Sequence, residues 1–278
     1  MANWSLVCFT LLTQSAVGLV WVGVAGRWFA NWVAHDLSFR PMAVALLLTI
    51  LGLATALVHL SKPGLAPKAL HNLATSWLSR EVLLVQAFAV SVASAMLLSV
   101  IDTFHTLFVM EGAACLLGGA ALFAMAKVYL IKTVPMWNSP ATVLEFTGSA
   151  LLLGGSLGSL LISFVEADFS VFIPKFRITG IEILIGLNLK LLAIFPGLRA
   201  HKASLNQTWY DAKGSPIHPG IVLAIRFGLY LAGLVSLVAA HYGDGPPWLW
   251  LAFSLACIGS GEIAGRHYFY SAYRRIGL

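Results

Sequence analysis

The chain alternates long apolar stretches with short polar breaks along its whole length. Each stretch is long enough to cross a bilayer, which takes roughly 20 mostly apolar residues in a helix. The stretches fall at about residues 5 to 29, 40 to 60, 81 to 101, 105 to 126, 141 to 164, 178 to 196, 219 to 241 and 247 to 270. The pattern predicts an all-α membrane protein, a bundle of eight transmembrane helices that forms a single domain over residues 1–278.

The breaks between the stretches carry residues that end helices. They are Lys62 to Gly64, Asp102, Pro135 and Pro140, Pro174, Pro196 and Gly197, and Gly243 to Pro247. Only a few residues join the third and fourth helices, so these two should form a tight antiparallel pair. The longest polar stretch, residues 199–218, is too short to be a domain. Chemistry on soluble substrates must therefore belong to another protein.

Composition supports a membrane protein and indicates its orientation. The chain is 59% hydrophobic and 10% charged, with a mean hydropathy of +0.86, whereas soluble domains are about a quarter charged. The net charge of +6 comes from residues in short loops, which argues against nucleic-acid binding. Loops on the side of the termini hold ten Lys and Arg residues and the opposite loops hold four. Because cytoplasmic loops are the more basic, both termini are predicted to be cytoplasmic.

Ionisable side chains inside a membrane are costly and are functional candidates. Several of them fall toward the side that holds the termini. His59 closes the second helix, Arg80 and Glu81 open the third, and Glu262 and Arg266 lie in the second half of the eighth. Loops and helix ends on that side add Trp77, Lys127, Lys132 and Trp137.

A histidine at a helix end next to a carboxylate and aromatic rings is the kind of place that binds a quinone. Its imidazole can form a hydrogen bond with a quinone oxygen and accept a quinol proton near neutral pH, and the carboxylate can pass that proton on. The alternative is structural: His59 is then an interfacial polar residue, and Glu81 is an acid favoured by the helix dipole after a Ser79 cap.

Other ionisable residues leave further possibilities open. Glu262 and Arg266 stand four residues apart and can pair along one helix face. Glu111, Glu182 and Lys190 also lie within apolar stretches, and a proton path through Glu111 is conceivable. The GxxxG spacings of Gly154 with Gly158 and of Gly261 with Gly265 indicate close helix packing.

The sequence offers little to hold a metal. Its three cysteines, Cys8, Cys115 and Cys257, lie far apart, whereas zinc and iron–sulfur sites need about four close ligands. A membrane cytochrome b needs pairs of histidines on facing helices. No histidine pair falls well inside the apolar stretches, so we expect neither haem nor metal in this chain.

Three segments together resemble the membrane anchor subunit of dimethyl sulfoxide reductase and its relatives among molybdenum oxidoreductase complexes. They are LVHLSKPGLAPKALHNLATSWLSREVL from Leu57 to Leu83, YLIKTVPMWNSPATVLEFTG from Tyr129 to Gly148, and GEIAGRHYFYSAYRRIGL at the C-terminus. Length and helix number agree, so the resemblance covers the whole chain. In that family a histidine and a glutamate that match His59 and Glu81 are implicated in quinol binding and proton handling.

The resemblance implies a subunit of a larger complex in the bacterial inner membrane. A molybdopterin catalytic subunit and a four-cluster iron–sulfur subunit would dock on it, and Lys62, Lys127 and Lys132 are candidate docking residues. The chain would exchange electrons with menaquinone or ubiquinone. Arg80, Trp137 and Arg266 would help His59 and Glu81 to bind the quinone, and Glu262 would join them in moving protons. Similar anchors serve sulfoxide reductases in anaerobic respiration and enzymes of sulfite oxidation, so the direction of electron flow stays open.

Two other classes of protein remain as alternatives. A transporter for a small solute would place charged residues around a cavity at the membrane midplane, with broken helices. The charges singled out above gather instead at one face of the membrane. A haem-bearing cytochrome b anchor is the second alternative.

Overall fold

The computed structural model describes residues 4–29, 35–59, 70–101, 104–165, 169–207, 218–243 and 245–271. Within these ranges, it describes only the backbone of residues 35–38, 59, 104–105, 169–175 and 204–207. Within this part of the chain, eight helices are long and apolar enough to span a membrane, which confirms the predicted fold class. They are α1 (Trp4–Phe29), α2 (His35–His59), α3 (Trp77–Ile101), α4 (Phe104–Tyr129), α5 (Pro140–Val165), α6 (Phe169–Gln207), α7 (Pro219–Tyr242) and α8 (Pro247–Ser271).

Proline and polar caps set several helix starts. Pro140, Pro219 and Pro247 each occupy the first position of a helix, where the missing N–H is not needed. The third helix begins at Trp77, four residues before the predicted start at 81, and Ser76 accepts a hydrogen bond from the Ser79 amide at 3.3 Å. Ser76, not Ser79, therefore caps this helix, and Glu81 lies one turn inside it.

The sixth helix is much longer than the predicted stretch 178–196. It runs from Phe169 to Gln207 without stopping at Pro174 or at Pro196 and Gly197. The prediction of breaks at these prolines was wrong. A proline costs a helix one hydrogen bond, but α6 packs along α5. The Pro196 carbonyl oxygen also accepts a bond at 3.3 Å from the hydroxyl of Ser139, the residue before α5.

The first helix is the most enclosed of the eight described and packs against α2, α4 and α5. Its contact with α5 depends on Gly18 and Gly154, because a Cβ at either position would collide with the backbone of the other helix. The predicted close packing at Gly154 and Gly158 is therefore confirmed. The third and fourth helices also pack as an antiparallel pair, with Trp77 edge-on to Phe123 at 5.9 Å, although Asp102 and Thr103 between them lie outside the described residues.

The alternating direction of the helices gives the bundle two faces. We call the face that holds the ends Trp4, Tyr129, Pro140 and Ser271 the terminal face, and the other the opposite face. The ring of Trp4 lies 5.1 Å from that of His267, so the start of α1 and the last turns of α8 meet at the terminal face.

The distribution of Lys and Arg predicts that the terminal face is cytoplasmic. Reporter fusions after Lys213 and after Leu278 should therefore give cytoplasmic signals, and a fusion near Asp244 should not. Fusions to a phosphatase and to a fluorescent protein at each position provide complementary readouts. The reverse pattern would place the terminal face outside the cytoplasm.

Candidate functional site

Glu81 is a buried carboxyl group without a described partner. Its side chain is 3% exposed, and its Oε1 atom accepts no hydrogen bond from any residue that the structure describes. Its carboxylate lies within electrostatic range of the hydroxyl groups of Tyr129 and Tyr270. A buried polar atom left without a partner costs about 1–3 kcal/mol, so this one is a candidate for binding a ligand.

Aromatic rings surround the two tyrosines. The Tyr270 hydroxyl donates to the Tyr129 hydroxyl at 3.0 Å. Trp137 lies edge-on to Tyr129 at 5.3 Å and stacks on Phe269 at 5.4 Å, and its indole N–H donates to the Phe269 carbonyl at 2.8 Å. The structure thus places Trp137, a predicted quinone residue, in the aromatic cluster beside Glu81. We call Glu81, Tyr129, Trp137, Phe269 and Tyr270 the Glu81 group.

Arg80 has a structural role next to this group. Its guanidinium donates to the carbonyl oxygens of Leu73 and Ala74 at 2.8 and 2.6 Å and lies over the Trp77 ring at 4.4 Å. It therefore ties the segment that precedes α3 to the start of that helix. Its assignment to quinone binding stays a prediction.

The predicted docking lysines lie on the terminal face where they are described. Lys127 is half-buried and lies over the rings of Trp77 and Phe123 at 5.6 and 5.4 Å, whereas Lys132 is exposed. Lys62 lies outside the described residues, as does the side chain of His59. The backbone of His59 forms the last residue of α2, on the terminal face.

A second polar group lies deeper, between α1, α5, α6, α7 and α8. We call it the charged cluster, and it consists of Gln14, Glu145, Ser149, Lys190, Arg226, Tyr230, Glu262 and Arg266. Lys190 is at its centre: its Nζ donates to Glu145 Oε2 and Ser149 Oγ at 2.8 Å and to Glu262 Oε2 at 3.0 Å. Lys190 is 1% exposed, so the two carboxylates provide the neutralisation that burial of this cation requires.

Arg226 joins the cluster from α7. Its Nη1 and Nη2 atoms donate to the two Glu145 oxygens at 3.3 and 2.8 Å. The Tyr230 hydroxyl accepts from Arg226 at 3.0 Å and donates to Glu262 Oε1 at 2.6 Å. Both carboxylates are therefore held by groups from other helices.

Arg266 and Glu262 do not form the predicted pair along α8. Within the described residues, Glu262 is paired with Lys190, and Arg266 donates instead to Gln14 Oε1 at 2.8 Å and Ser149 Oγ at 3.1 Å. The prediction was wrong because it considered one helix only, and facing helices supply better partners. Arg266 also lies 3.9 Å over the Phe146 ring and 5.9 Å from that of Phe269, so it connects the charged cluster with the Glu81 group.

The cluster reaches the middle of the apolar spans. Lys190 is central in the apolar span Phe176–Ala203 and Tyr230 is central in Pro219–Tyr242. The expectation that charges gather only at one face was therefore wrong. Sequence reasoning noted Lys190 but missed Glu145 and Arg226, although both stand inside apolar segments and the rule that marks intramembrane charges as candidates applies to them equally.

A cavity opens beside the charged cluster. Apolar side chains form most of its wall, and the charged cluster contributes Glu145, Arg226, Glu262 and Arg266. Phe269 of the Glu81 group also lines it. The lining residues come from the ends of α5 to α8 that lie toward the terminal face, so the cavity leads from that face to the buried charges.

Two further buried carboxyl groups lie apart from these sites. Glu111 accepts hydrogen bonds from the Arg27 Nε and the Trp28 indole N–H, both at 2.9 Å, close to the opposite face. This arrangement favours a structural ion pair there. Glu182 in α6 is 7% exposed, and neither of its oxygens has a hydrogen-bond partner among the described residues.

Within the described residues, no three His, Cys, Asp or Glu side chains come together as they would around a metal ion. The expected absence of haem stays a prediction. The visible spectrum of the purified subunit should show no Soret band at stoichiometric intensity, and a pyridine haemochrome assay gives the haem-to-protein ratio. A ratio near one would support the cytochrome alternative.

Comparisons with known proteins give a consistent picture. A family model described as DMSO reductase anchor subunit (DmsC) matches residues 1–272. The protein is 24% identical to the C subunit of the anaerobic dimethyl sulfoxide reductase of Escherichia coli over 287 aligned positions, which cover 99% of this protein and 96% of that one. It is 26% identical over 202 positions to the subunit of the same description from Haemophilus influenzae, with 70% of each protein covered.

Proposed function

Since the chain belongs to the DMSO reductase anchor subunit family, a family of multi-pass membrane anchors, we propose that it exchanges electrons and protons between a quinone pool and a docked iron–sulfur subunit. A molybdopterin catalytic subunit completes this complex, and the bacterial inner membrane is its location. The anchor itself binds the quinone and holds neither haem nor metal. Menaquinone and ubiquinone both suit this role.

One observation supports the quinone site most directly. Glu81 is a buried carboxyl with an unpartnered oxygen, it lies one turn inside α3, and it is within electrostatic range of Tyr129 and Tyr270. A quinol hydroxyl is a donor that satisfies such an oxygen, and flat aromatic side chains pack well against a quinone ring. His59 at the end of α2 lies on the terminal face.

Two-electron oxidation of a quinol releases two electrons and two protons. His59 and Glu81 accept these protons, one each, and release them to the aqueous phase at the terminal face, because an imidazole and a carboxylate can each bind one proton. The electrons pass to the iron–sulfur subunit, which docks through Lys127 and Lys132 together with Lys62. Glu262 and Arg266 connect this site with the rest of the charged cluster.

The direction of electron flow follows from the catalytic subunit. The relatives named above belong to dimethyl sulfoxide reductases, and a sulfoxide reductase draws electrons from quinol. A sulfite-oxidising complex would deliver electrons to quinone through the same site.

The transporter alternative has one observation in its favour. The charged cluster lies where that alternative predicts charges, near the middle of the apolar spans, and the cavity opens to it from the terminal face. The helices, however, are continuous through their apolar spans within the described residues, including α6 with its two prolines. Family membership and unbroken helices together favour the anchor.

Glu81→Gln tests this proposal. Glutamine keeps the size and hydrogen bonding of the side chain but cannot take up a proton, so quinol-linked kcat should fall at least about ten-fold with a smaller change in KM. The assay compares quinol-linked and dye-linked turnover of the assembled complex. Glu182→Gln is the matched control, since Glu182 is also a buried carboxyl without a described partner. Equal quinol-linked rates in both variants and the unsubstituted complex would refute the site.

A further inference from the structure

The cavity beside the charged cluster has the properties of a ligand site. It is a concave pocket that opens toward the terminal face, and small-molecule sites are usually concave. Such sites have mostly apolar walls and a few convergent polar groups. Here Ile194, Val222 and Leu223 contribute apolar wall, and charged groups of the three helices α5, α7 and α8 converge at one end.

The exposed part of the charged cluster argues against a simple anion as the ligand. The Glu145 side chain is 25% exposed, whereas those of Arg226 and Lys190 are 9% and 1% exposed. An anion in the cavity would therefore meet a carboxylate first. A neutral ligand that can both donate and accept hydrogen bonds avoids this repulsion.

The charged cluster has both an acceptor and a donor that can form further hydrogen bonds. A carboxylate has about four acceptor positions, and Glu145 Oε1 accepts one bond, at 3.3 Å. Arg266 is 4% exposed and lines the cavity, and its Nε atom donates to no acceptor within the described residues. An acceptor and a donor are thus available at the charged end of an apolar cavity.

These properties match the two redox forms of one class of ligand. A quinone is an apolar ring whose carbonyl oxygens accept hydrogen bonds, and the quinol has hydroxyl groups that also donate them. The cavity is close to the expected docking surface as well: Met136 lines it, in the same loop as Lys132.

We propose that the cavity between α5, α6, α7 and α8 is a second quinone-binding position, distinct from Glu81, in which Glu145 accepts a hydrogen bond from the quinol and Arg266 donates one to the quinone. This inference rests on the proposed function, because it takes the quinone as the mobile substrate of the anchor. Phe269 lies in the wall between the two positions, since it lines the cavity and stacks on Trp137.

Substitution of Leu223 by Trp tests the proposal, because the indole would fill part of the cavity. We expect Leu223→Trp to raise the KM for a short-chain quinol at least about ten-fold in the assembled complex, with dye-linked turnover unchanged. Leu231→Trp is the matched control: it makes the same change on the same helix at a side chain that is 63% exposed and outside the cavity lining. Its KM should stay at the value of the unsubstituted complex.

Photolabelling with an azidoquinone gives a second measurement that needs no variant. In the unsubstituted complex, labelled peptides should include residues of α6 or α7, and excess quinol should suppress the labelling. Labelling confined to α3 and α4, or an unchanged KM in Leu223→Trp, would overturn the second position. The proposed function would still stand if Glu81→Gln lost quinol-linked turnover, and it would fail if the unsubstituted complex had none.

Discussion

Replacing His59 by Ala should stop electron exchange with quinol, with at least about a hundred-fold loss of quinol-linked turnover. The α2 helix ends at His59 and the α3 helix carries Glu81 one turn from its start, so both residues belong to the terminal face. The Glu81 Oε1 atom has no described partner. Removal of the imidazole takes away the group that is expected to receive the first quinol proton, and general acid–base catalysis of this kind contributes roughly 10²–10⁴-fold.

The control for His59→Ala is the activity of the soluble subunits. Dye-linked turnover and the amount of assembled complex should match those of the unsubstituted protein. His71→Ala is a useful companion variant, since His71 is an exposed histidine in the segment before α3. Near-normal quinol-linked turnover of His59→Ala in an intact complex would show that the site lies elsewhere, and the cavity beside Arg266 would then be the first place to examine.

Lys190→Met should destabilise the anchor by about 3–5 kcal/mol, the usual cost of removing one partner from a buried ion pair. Lys190 bonds both carboxylates of the charged cluster, and Glu262 is 1% exposed. Methionine fills a similar space but leaves Glu262 without a cation within salt-bridge distance among the described residues. The free energy of unfolding in mixed micelles, from a denaturant titration, measures the effect.

Two further variants separate charge from packing in this prediction. Lys202→Met removes an exposed lysine from the same helix, so it should change the free energy of unfolding by less than about 1 kcal/mol. The double variant Lys190→Met with Glu262→Gln removes the uncompensated carboxylate and should recover part of the lost stability. A Lys190→Met anchor as stable as the parent would contradict the role of Lys190 as the neutralising centre.

Part of the candidate site on the terminal face could be predicted from the sequence. Glu81 was singled out because it follows a polar break, and the structure buries it within electrostatic range of Tyr129, which contacts Trp137. The same reasoning assigned Glu262 to Arg266 four residues away. Lys190 pairs with that carboxylate instead. Lys190 is in a different helix and far away in the sequence, so nothing in the sequence indicated this contact.

The sequence by itself determined the number, type and order of the helices. Apolar runs of about 20 residues can satisfy their backbone hydrogen bonds in a bilayer only as helices, and this requirement is local to each run. The motif from Leu57 to Leu83 likewise indicated the protein family, and the match to the family model confirms it. The lengths of α3 and α6 were underestimated, since hydropathy marks the apolar span and not the polar turns that extend it.

Only the tertiary structure decided which charges meet. Glu145, Lys190, Arg226 and Glu262 come from four different helices, and their contacts depend on how each helix is rotated about its axis. That rotation is set by close packing, as where Gly18 meets Gly154 and where Gly265 makes room for Arg226. The cavity is a consequence of the same packing, because its wall is assembled from α5 to α8 and exists in none of them alone.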